Sequence, residues 1–459
     1  MRQWEQATWA SGQTEAEVIR RVGLAVARRA LSLTRPSELI VILAGKGHNG
    51  DDARCARNHL EERRVDVLDV ADPESDLPKL AALLSLKPAL VIDGLFGIGL
   101  NRPLSAAWTK FIHHLNGAGL KVLAVDIPSG LDAATGRPQG ASIEAYVTLT
   151  VGAPKAGLLA STAWPYVGRL EVAPDVGLAP TLPQADLQWT LATDFAGFPP
   201  VRAVAGHKGT YGHLSIISGS LGYHGAAVLS ARGAQRAHPG LITLYTVEPV
   251  YHVIASQLQA VMVSPWRPDT KPAENRTAVL IGPGLAAADL PDQIKLLVQE
   301  LWRRFPGPVV VDASALAWVP PEPAAAPGIR VITPHPGEAA RMLGLETQEV
   351  QTDRVQALRK LSQRFSNAYV VLKGHQTIIG RTTGQVFVNS SGNPYLAQGG
   401  SGDVLSGYLA GLLAQPPLQA DPLLTLRYGV WQHGATADLL QGTQSNWVVE
   451  DLVSHLGRR

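Results

Sequence analysis

Apolar positions recur along the chain in two rhythms. Between residues 11 and 33, Val18, Ile19, Val22, Ala25, Val26 and Ala30 keep helical spacing, which predicts an amphipathic leading helix. Short apolar-rich stretches then follow at 39–43, 65–70, 89–92 and 121–127, with helical stretches between them. Strands alternating with helices predict parallel βαβ units, hence a doubly wound sheet whose site lies at the strand C-terminal ends. Between about 177 and 206 the periodicity lapses while Pro and Gly gather, which predicts a linker or domain seam. A second series resumes beyond it, with strands expected at 213–218, 241–247, 278–281, 309–312, 331–333 and 369–373 and helices in the intervals and after Gly402. No strong internal repeat relates the halves. The pattern therefore predicts two different α/β domains.

Composition narrows the classes. The 459 residues are 46% hydrophobic and 17% charged, the balance of a globular protein with a sizeable core, and that length suits two domains or three. A formal charge of +2 with no Lys/Arg cluster offers no field for nucleic acid. The 13 histidines show no zinc-ligand spacing, and Cys55, the single cysteine, sits in an expected helix as a small core residue. The first 23 residues lack an apolar signal core and no 18-residue clean apolar run occurs. A cytoplasmic, homo-oligomeric enzyme acting on small molecules, with no membrane partner, is the expectation.

Three loops end strands of the first domain and should meet at one sheet edge. The first, Gly45-x-Gly47-x-x-Gly50 between strand and helix, fits a dinucleotide fingerprint, and Asp66 or Asp69 could serve as its ribose-binding acid. Its filling argues otherwise: His48, Asn49, Asp51 and Asp52 crowd the helix start, and the acids would repel a pyrophosphate. The second loop runs from Asp93 through Gly97, Ile98, Gly99, Leu100, Asn101 and Arg102 to Pro103, and the third is Asp126-Ile127-Pro128-Ser129-Gly130-Leu131-Asp132. Asn49, Asp93, Asp126 and Ser129 bring oxygen ligands of the kind a hard cation prefers. Each acid alone reads as well as a cap or turn residue.

In the second domain, Gly399-Gly400-Ser401-Gly402-Asp403 opens an expected helix. Converging backbone N–H groups and the helix dipole suit a phosphate there. The carboxylate of Asp403 then makes sense as the group that deprotonates or orients a hydroxyl attacking that phosphate. Lys373 ends an apolar strand ahead of Gly374, His375, Gln376 and Thr377, where its cation would neutralise a polyphosphate. Gly225 and Ala226 start a small-residue helix, Gly284 turns after a strand, Asp312 ends another, and His335 stands at a helix start. The Walker pattern is absent, which disfavours a P-loop enzyme.

Taken in order, the three loops of residues 1–195 resemble the NAD(P)H-hydrate epimerase family. That resemblance implies a Rossmann-like fold interconverting the R and S epimers of hydrated NADH or NADPH, with potassium on Asn49, Asp93 and Ser129. His48, Asn49, Gly50, Asp51, Asp52, the 97–103 loop and Asp126 would contact the nucleotide, and Asp126 would do acid–base work at C6. The family's Asn-Asn-Gly-Gly-Asp-Gly is here His48-Asn49-Gly50-Asp51-Asp52-Ala53, which changes charge and backbone freedom at the loop. A first domain reduced to a scaffold is the reading this departure would favour. Residues 203–459, with His-Lys-Gly-Thr-Tyr-Gly, Gly-Pro-Gly-Leu, Thr-Pro-His-Pro-Gly-Glu and Gly-Gly-Ser-Gly-Asp in sequence, resemble the ADP-dependent NAD(P)H-hydrate dehydratases of the ribokinase-like fold. This implies that Gly225, Ala226, Gly284, His335 and Asp403 face the hydrate. Lys373, Gly374, His375, Gln376, Thr377 and Gly402 would face ADP, with magnesium at its phosphates. A ribokinase-like small-molecule kinase is the alternative; it would release a stable phosphorylated product.

Overall fold

Burial explains why the apolar runs form strands: every residue of β1 (Leu39–Ala44) is shut away from solvent. The same holds for β3 (Leu90–Gly94), β4 (Val122–Val125) and β5 (Val147–Val151). β2 (Arg64–Asp69) and β6 (Arg169–Ala173) are the half-exposed edges. The computed structural model describes residues 2–179, 185–267, 269–270, 272–321 and 328–458. It divides into two units, Met1–Gln184 and Ala185–Arg459.

The first unit is an all-parallel sheet in the order β2-β1-β3-β4-β5-β6. Ile40, Ile42, Leu90 and Ile92 pack on one side against Val18, Val22 and Val26 of the helix Glu15–Leu33. Val41, Leu43 and Val91 pack on the other against Leu80 and Leu84 of Pro73–Ser85 and Phe111, Ile112 and Leu115 of Ala106–Asn116. Both sheet faces are therefore covered, the condition under which a parallel sheet is stable. The strand order reverses between β1 and β3, and the crevice at such a reversal is where open α/β sheets bind ligands.

The second unit adds β7 (Leu187–Trp189), β8 (His213–Ile217), β9 (Leu241–Val247), β10 (Met262–Trp266) and β11 (Ala278–Ile281). It continues with β12 (Val309–Val311), β13 (Arg330–Ile332), β14 (Tyr369–Leu372), β15 (Ile378–Gly380) and β16 (Val386–Val388). The sheet order is β10-β9-β8-β11-β12-β13-β14-β15-β16-β7, parallel from β10 to β14 and antiparallel through β14-β15-β16. β7 pairs with β16 through Leu187↔Val386, so residues 185–189, grouped with the first domain by the resemblance over residues 1–195, are part of the second sheet. Of the expected seam at 177–206, residues 180–184 lie outside the described residues. Here the reversal falls between β8 and β11.

Small residues set the height of the helix that carries Asp403. Ser401–Leu413 lies against His224–Arg236 so closely that a Cβ on Gly407 would stand 2.0 Å from the Ser230 carbonyl oxygen, and one on Gly233 2.3 Å from that of Val404. Gly407→Ala should force the helices apart and cost about 3 kcal/mol by denaturant unfolding. A stability change below a few tenths of that figure would show that the contact yields freely.

Candidate active sites

At the reversal point of the first sheet, Asp93 ends β3 fully buried. Its Oδ1 accepts from the Ser129 hydroxyl (2.6 Å) and the Leu95 N–H (3.2 Å), and its Oδ2 from the Ser129 N–H (2.8 Å). The Phe96 N–H donates to Ser129 Oγ (2.8 Å), and Asn49 Nδ2 donates to the Phe96 carbonyl (2.9 Å). Asn49, Asp93 and Ser129 thus converge on one backbone turn, and a Cβ on Gly97 would press on Asn49 at 3.3 Å. Burial raises the Asp93 carboxyl to about 6 against the pull of its hydrogen bonds. All these donors are neutral groups. A buried carboxylate with an amide, a hydroxyl and a carbonyl around it is a donor set that fits a hard monovalent cation.

Beside this cluster stands Asp126, at φ 64°, a left-handed conformation that a short polar side chain tolerates at a modest cost. Its Oδ1 accepts from the Val151 N–H (2.9 Å), the Thr150 hydroxyl (3.3 Å) and the ammonium of buried Lys155. Burial, and then the charges of Asp126 and Asp51, raise Asp52 to about 8. The other expected contacts divide. Gly50 packs on Gly45, where a Cβ would meet the carbonyl oxygen at 2.1 Å. The exposed His48 pairs with Glu15 at 2.8 Å. Asp51 pairs with Arg54 at 2.8 Å, while the Arg54 Nε takes Asp69 at 2.6 Å, so the acid that a dinucleotide reading would give to a ribose already has a cation. Gly99, Asn101, Arg102 and Pro103 form an exposed turn, with Ile98 and Leu100 half-buried in it.

In the second unit five parallel strands, β8, β11, β12, β13 and β14, deliver their C-terminal ends to one edge. At the β8/β11 reversal the Ser218 hydroxyl donates to the Pro283 carbonyl (2.6 Å) and the Ser220 hydroxyl to that of Gly284 (2.6 Å). Gly284, at φ 67°, comes so near that a Cβ would stand 3.0 Å from Ala226 and 2.6 Å from the Tyr223 carbonyl oxygen; Gly225 beside it is open to solvent. Further along the edge, Lys373 Nζ contacts buried Asp312 at 2.8 Å and lies 3.5 Å from where a Gly402 Cβ would be. Burial alone would lower the Lys373 ammonium, but Asp312, Glu338 and Asp403 together outweigh it and raise it. Burial, then the Asp312 charge, lift Asp403 to about 7, with Lys373 pulling the other way. A carboxyl that titrates near neutrality beside a fixed ammonium and a helix N-terminus can act as base toward a bound hydroxyl.

His335 Nδ1 accepts from the Gly337 (3.1 Å) and Glu338 (3.4 Å) N–H groups, while Glu338 accepts from the His335 N–H at 2.8 Å. This reciprocal cap leaves Nε2 as the protonated nitrogen of the neutral ring; burial, with Lys373 and Arg341, lowers its pKa despite Glu338. The 373–377 loop is braced by Arg354, whose guanidinium donates to the carbonyls of Leu372 (3.0 Å), Lys373 (3.2 Å) and His375. Thr377 Oγ1 donates to the Gly374 carbonyl at 3.1 Å.

Three residues that contact these candidate site residues escaped sequence reasoning. Lys155 follows Gly152-Ala153-Pro154 and reads as a loop lysine, Arg354 reads as a surface helix residue, and His433 lies inside the helix Pro422–Thr443. His433 is buried with Nε2 3.1 Å from the Ser401 carbonyl, and burial holds it neutral, near 4. Its one signal was a histidine among the small and aliphatic residues and threonines of that buried helix face.

Residues 214–457 match the NAD(P)H-hydrate dehydratase family, and residues 68–157 match the YjeF-related protein N-terminus family. A bifunctional NAD(P)H-hydrate repair enzyme, Nnr, from Coxiella burnetii is 33% identical over 99% of this chain and 97% of its own length. The chain belongs to the bifunctional NAD(P)H-hydrate repair enzymes. The repair enzyme of Escherichia coli is 32% identical over 97% of this chain and 90% of its own. Among solved structures, the ADP/ATP-dependent NAD(P)H-hydrate dehydratase of Bacillus subtilis, co-crystallised with ATP and magnesium, is 32% identical with a TM-score of 0.50. It covers 56% of this chain and 92% of its own. The departures at His48 and Asp51 thus sit in a repair-enzyme first unit whose Asn49-Asp93-Ser129 cluster is intact.

Proposed function

We propose that the first unit interconverts the R and S epimers of hydrated NADH and NADPH, and that the second dehydrates the S epimer at the expense of ADP. What carries this reading is the meeting of Asp403, Lys373 and the helix start at Gly402 on the edge where Gly284 and His335 also end. Asp403 takes the proton of the C6 hydroxyl as that oxygen attacks the β-phosphoryl group of ADP, and the bond to the departing AMP breaks. Lys373 and the first-turn N–H groups hold the negative charge in transit. The ring nitrogen lone pair then expels phosphate from C6, and loss of a C5 proton restores the double bond; water has left as phosphate. Magnesium bound with the nucleotide supplies further charge neutralisation. Among the described residues no three His, Cys, Asp or Glu side chains are grouped to hold a metal, so phosphate oxygens would carry most of its coordination.

In the first unit Asp126 accepts the C6 hydroxyl proton while the C6–N1 bond opens to an aldehyde and N1 gains a proton, for which Asp52, protonated at neutral pH, is the available donor. Rotation about the freed C5–C6 bond and the reverse steps close the other epimer. Asn49, Asp93, Ser129 and the Phe96 carbonyl would hold potassium, which supplies a fixed positive charge beside the nucleotide.

Incubating a mixture of hydrated NADH epimers with the protein, ADP or ATP, magnesium and potassium should restore reduced-nicotinamide absorbance in full. No recovery with either nucleotide would sink the proposal, and a stable phosphorylated compound would replace it with a small-molecule kinase.

Potassium has a test of its own. An Asp93 carboxyl lifted from 3.8 to about 6 favours the fold fully below pH 3.8, and that contribution, roughly 3 kcal/mol, is lost as pH rises through 6. A cation bound to the ionised form returns it. Potassium chloride, against choline chloride at equal ionic strength, should therefore slow hydrogen exchange in β3 above about pH 6, with little effect near pH 4. Asp93→Asn should erase the difference, and equal exchange in both salts at high pH would remove potassium from this site.

A further inference from the structure

The Asp126 carboxylate is held asymmetrically. Oδ1 is taken by the Val151 N–H, the Thr150 hydroxyl and the Lys155 ammonium, whereas Oδ2 makes no hydrogen bond to a described residue. The lysine is fixed as firmly, since its Nζ also donates to Thr150 Oγ1 (2.9 Å) and to the Val151 carbonyl (3.1 Å). Both side chains are buried, Lys155 at 7% exposure, so the ammonium has no hydrated alternative to this contact. The backbone repeats the restraint, because the Asp126 N–H donates to the Leu149 carbonyl (2.9 Å) and φ is 64°.

We infer that Lys155 is a positioning residue for epimerisation: it holds the Asp126 carboxyl through Oδ1 and leaves Oδ2 alone to meet the substrate hydroxyl. The inference rests on Asp126 being the epimerase base. The charged groups around the pair are Asp52, which faces both Asp126 and Lys155, and beyond it Asp51 and Glu15, which act on Asp52. Two acids thus share one buried cation, and the cation sits on Asp126. The lysine thus sets its positive charge directly against Asp126 and not against Asp52, which distinguishes the two acids by geometry.

The test uses full-length Lys155→Met, Lys155→Arg and Thr150→Val proteins, with epimerisation of purified R hydrate followed across pH. Dehydration of the S hydrate and circular dichroism serve as folding controls. Lys155→Met should lower epimerase kcat about 100-fold, leave KM within about twofold, and move the rising limb of the pH profile at least about one unit alkaline. Lys155→Arg should restore most of kcat and the original limb. A folded Lys155→Met protein with the parent pH midpoint overturns the inference, since a merely structural lysine would change stability and not the profile. Should Lys155→Met not fold, Thr150→Val, which keeps the charge and removes one hydrogen bond from each partner, should show a smaller shift in the same direction. An unchanged profile there overturns the inference as well. Asp126→Asn run in parallel separates the premises: if it still epimerises, the base assignment fails, whereas if it is dead and Lys155→Met is normal, only the role of Lys155 fails.

Discussion

Asp403→Asn should abolish dehydration, with a loss in kcat on the order of 10³-fold or more in the recovery of reduced-nicotinamide absorbance from S hydrate and ADP. The amide keeps the shape and cannot accept the hydroxyl proton. Lys373 would lose one of three neighbouring carboxylates and keep Asp312 at 2.8 Å, so nucleotide binding should survive and KM for ADP should change little. The parent enzyme carries its own signature. A base raised to about 7 is active only when ionised, so kcat/KM should climb with pH through about 7 and level off above it. Lys373→Met should move that climb to higher pH, because Lys373 is the group holding the Asp403 value down. A rate independent of pH between about 5 and 9 would mean that Asp403 is not the base in the rate-limiting step.

How far the chain announced this site depends on the residue type. Glycines and acids at strand ends are legible because their reasons are local. Gly284 is needed for a positive φ, Gly402 for the open space beside Lys373, and Asp403 stands out against an apolar helix. The central strands were legible because burial on both faces leaves little but Val, Ile and Leu. β5 was not, because Val147-Thr148-Leu149-Thr150-Val151 alternates threonine with aliphatics and reads as half-exposed. In the fold both threonines are fully buried, Thr148 donating to the Val167 carbonyl (2.7 Å) and Thr150 to Asp126. β15 and β16 are three residues each, too short for any periodicity to register. Lys155, Arg354 and His433 stayed hidden for a related reason. Their roles come from contacts with residues 29, 18 to 21 and 32 positions away, and a charged or aromatic side chain carries no local mark of being buried.

The loop departures at His48 and Asp51 raised the prospect of a first unit that has lost its chemistry, and the second large effect decides that question. Asp126→Asn should leave the S epimer repaired at the parent rate, while R hydrate is recovered no faster than it equilibrates spontaneously. Recovery from a mixture then becomes biphasic, with the slow phase at least about 100-fold slower than in the parent protein. The structure favours an active first unit. His48 and Asp51 are drawn outward to Glu15 and Arg54, whereas Asp52, Asp126 and Lys155 remain together. Charge changes on the outward pair are screened by water, while those on the inner three act in a desolvated site, where the same charge counts several times more. His48→Asn with Asp51→Gly, which restores the family's usual residues, should accordingly change the epimerase rate by less than about tenfold. A parent protein already biphasic, made monophasic by that double substitution, would place the determinant in the loop and make the first unit a scaffold.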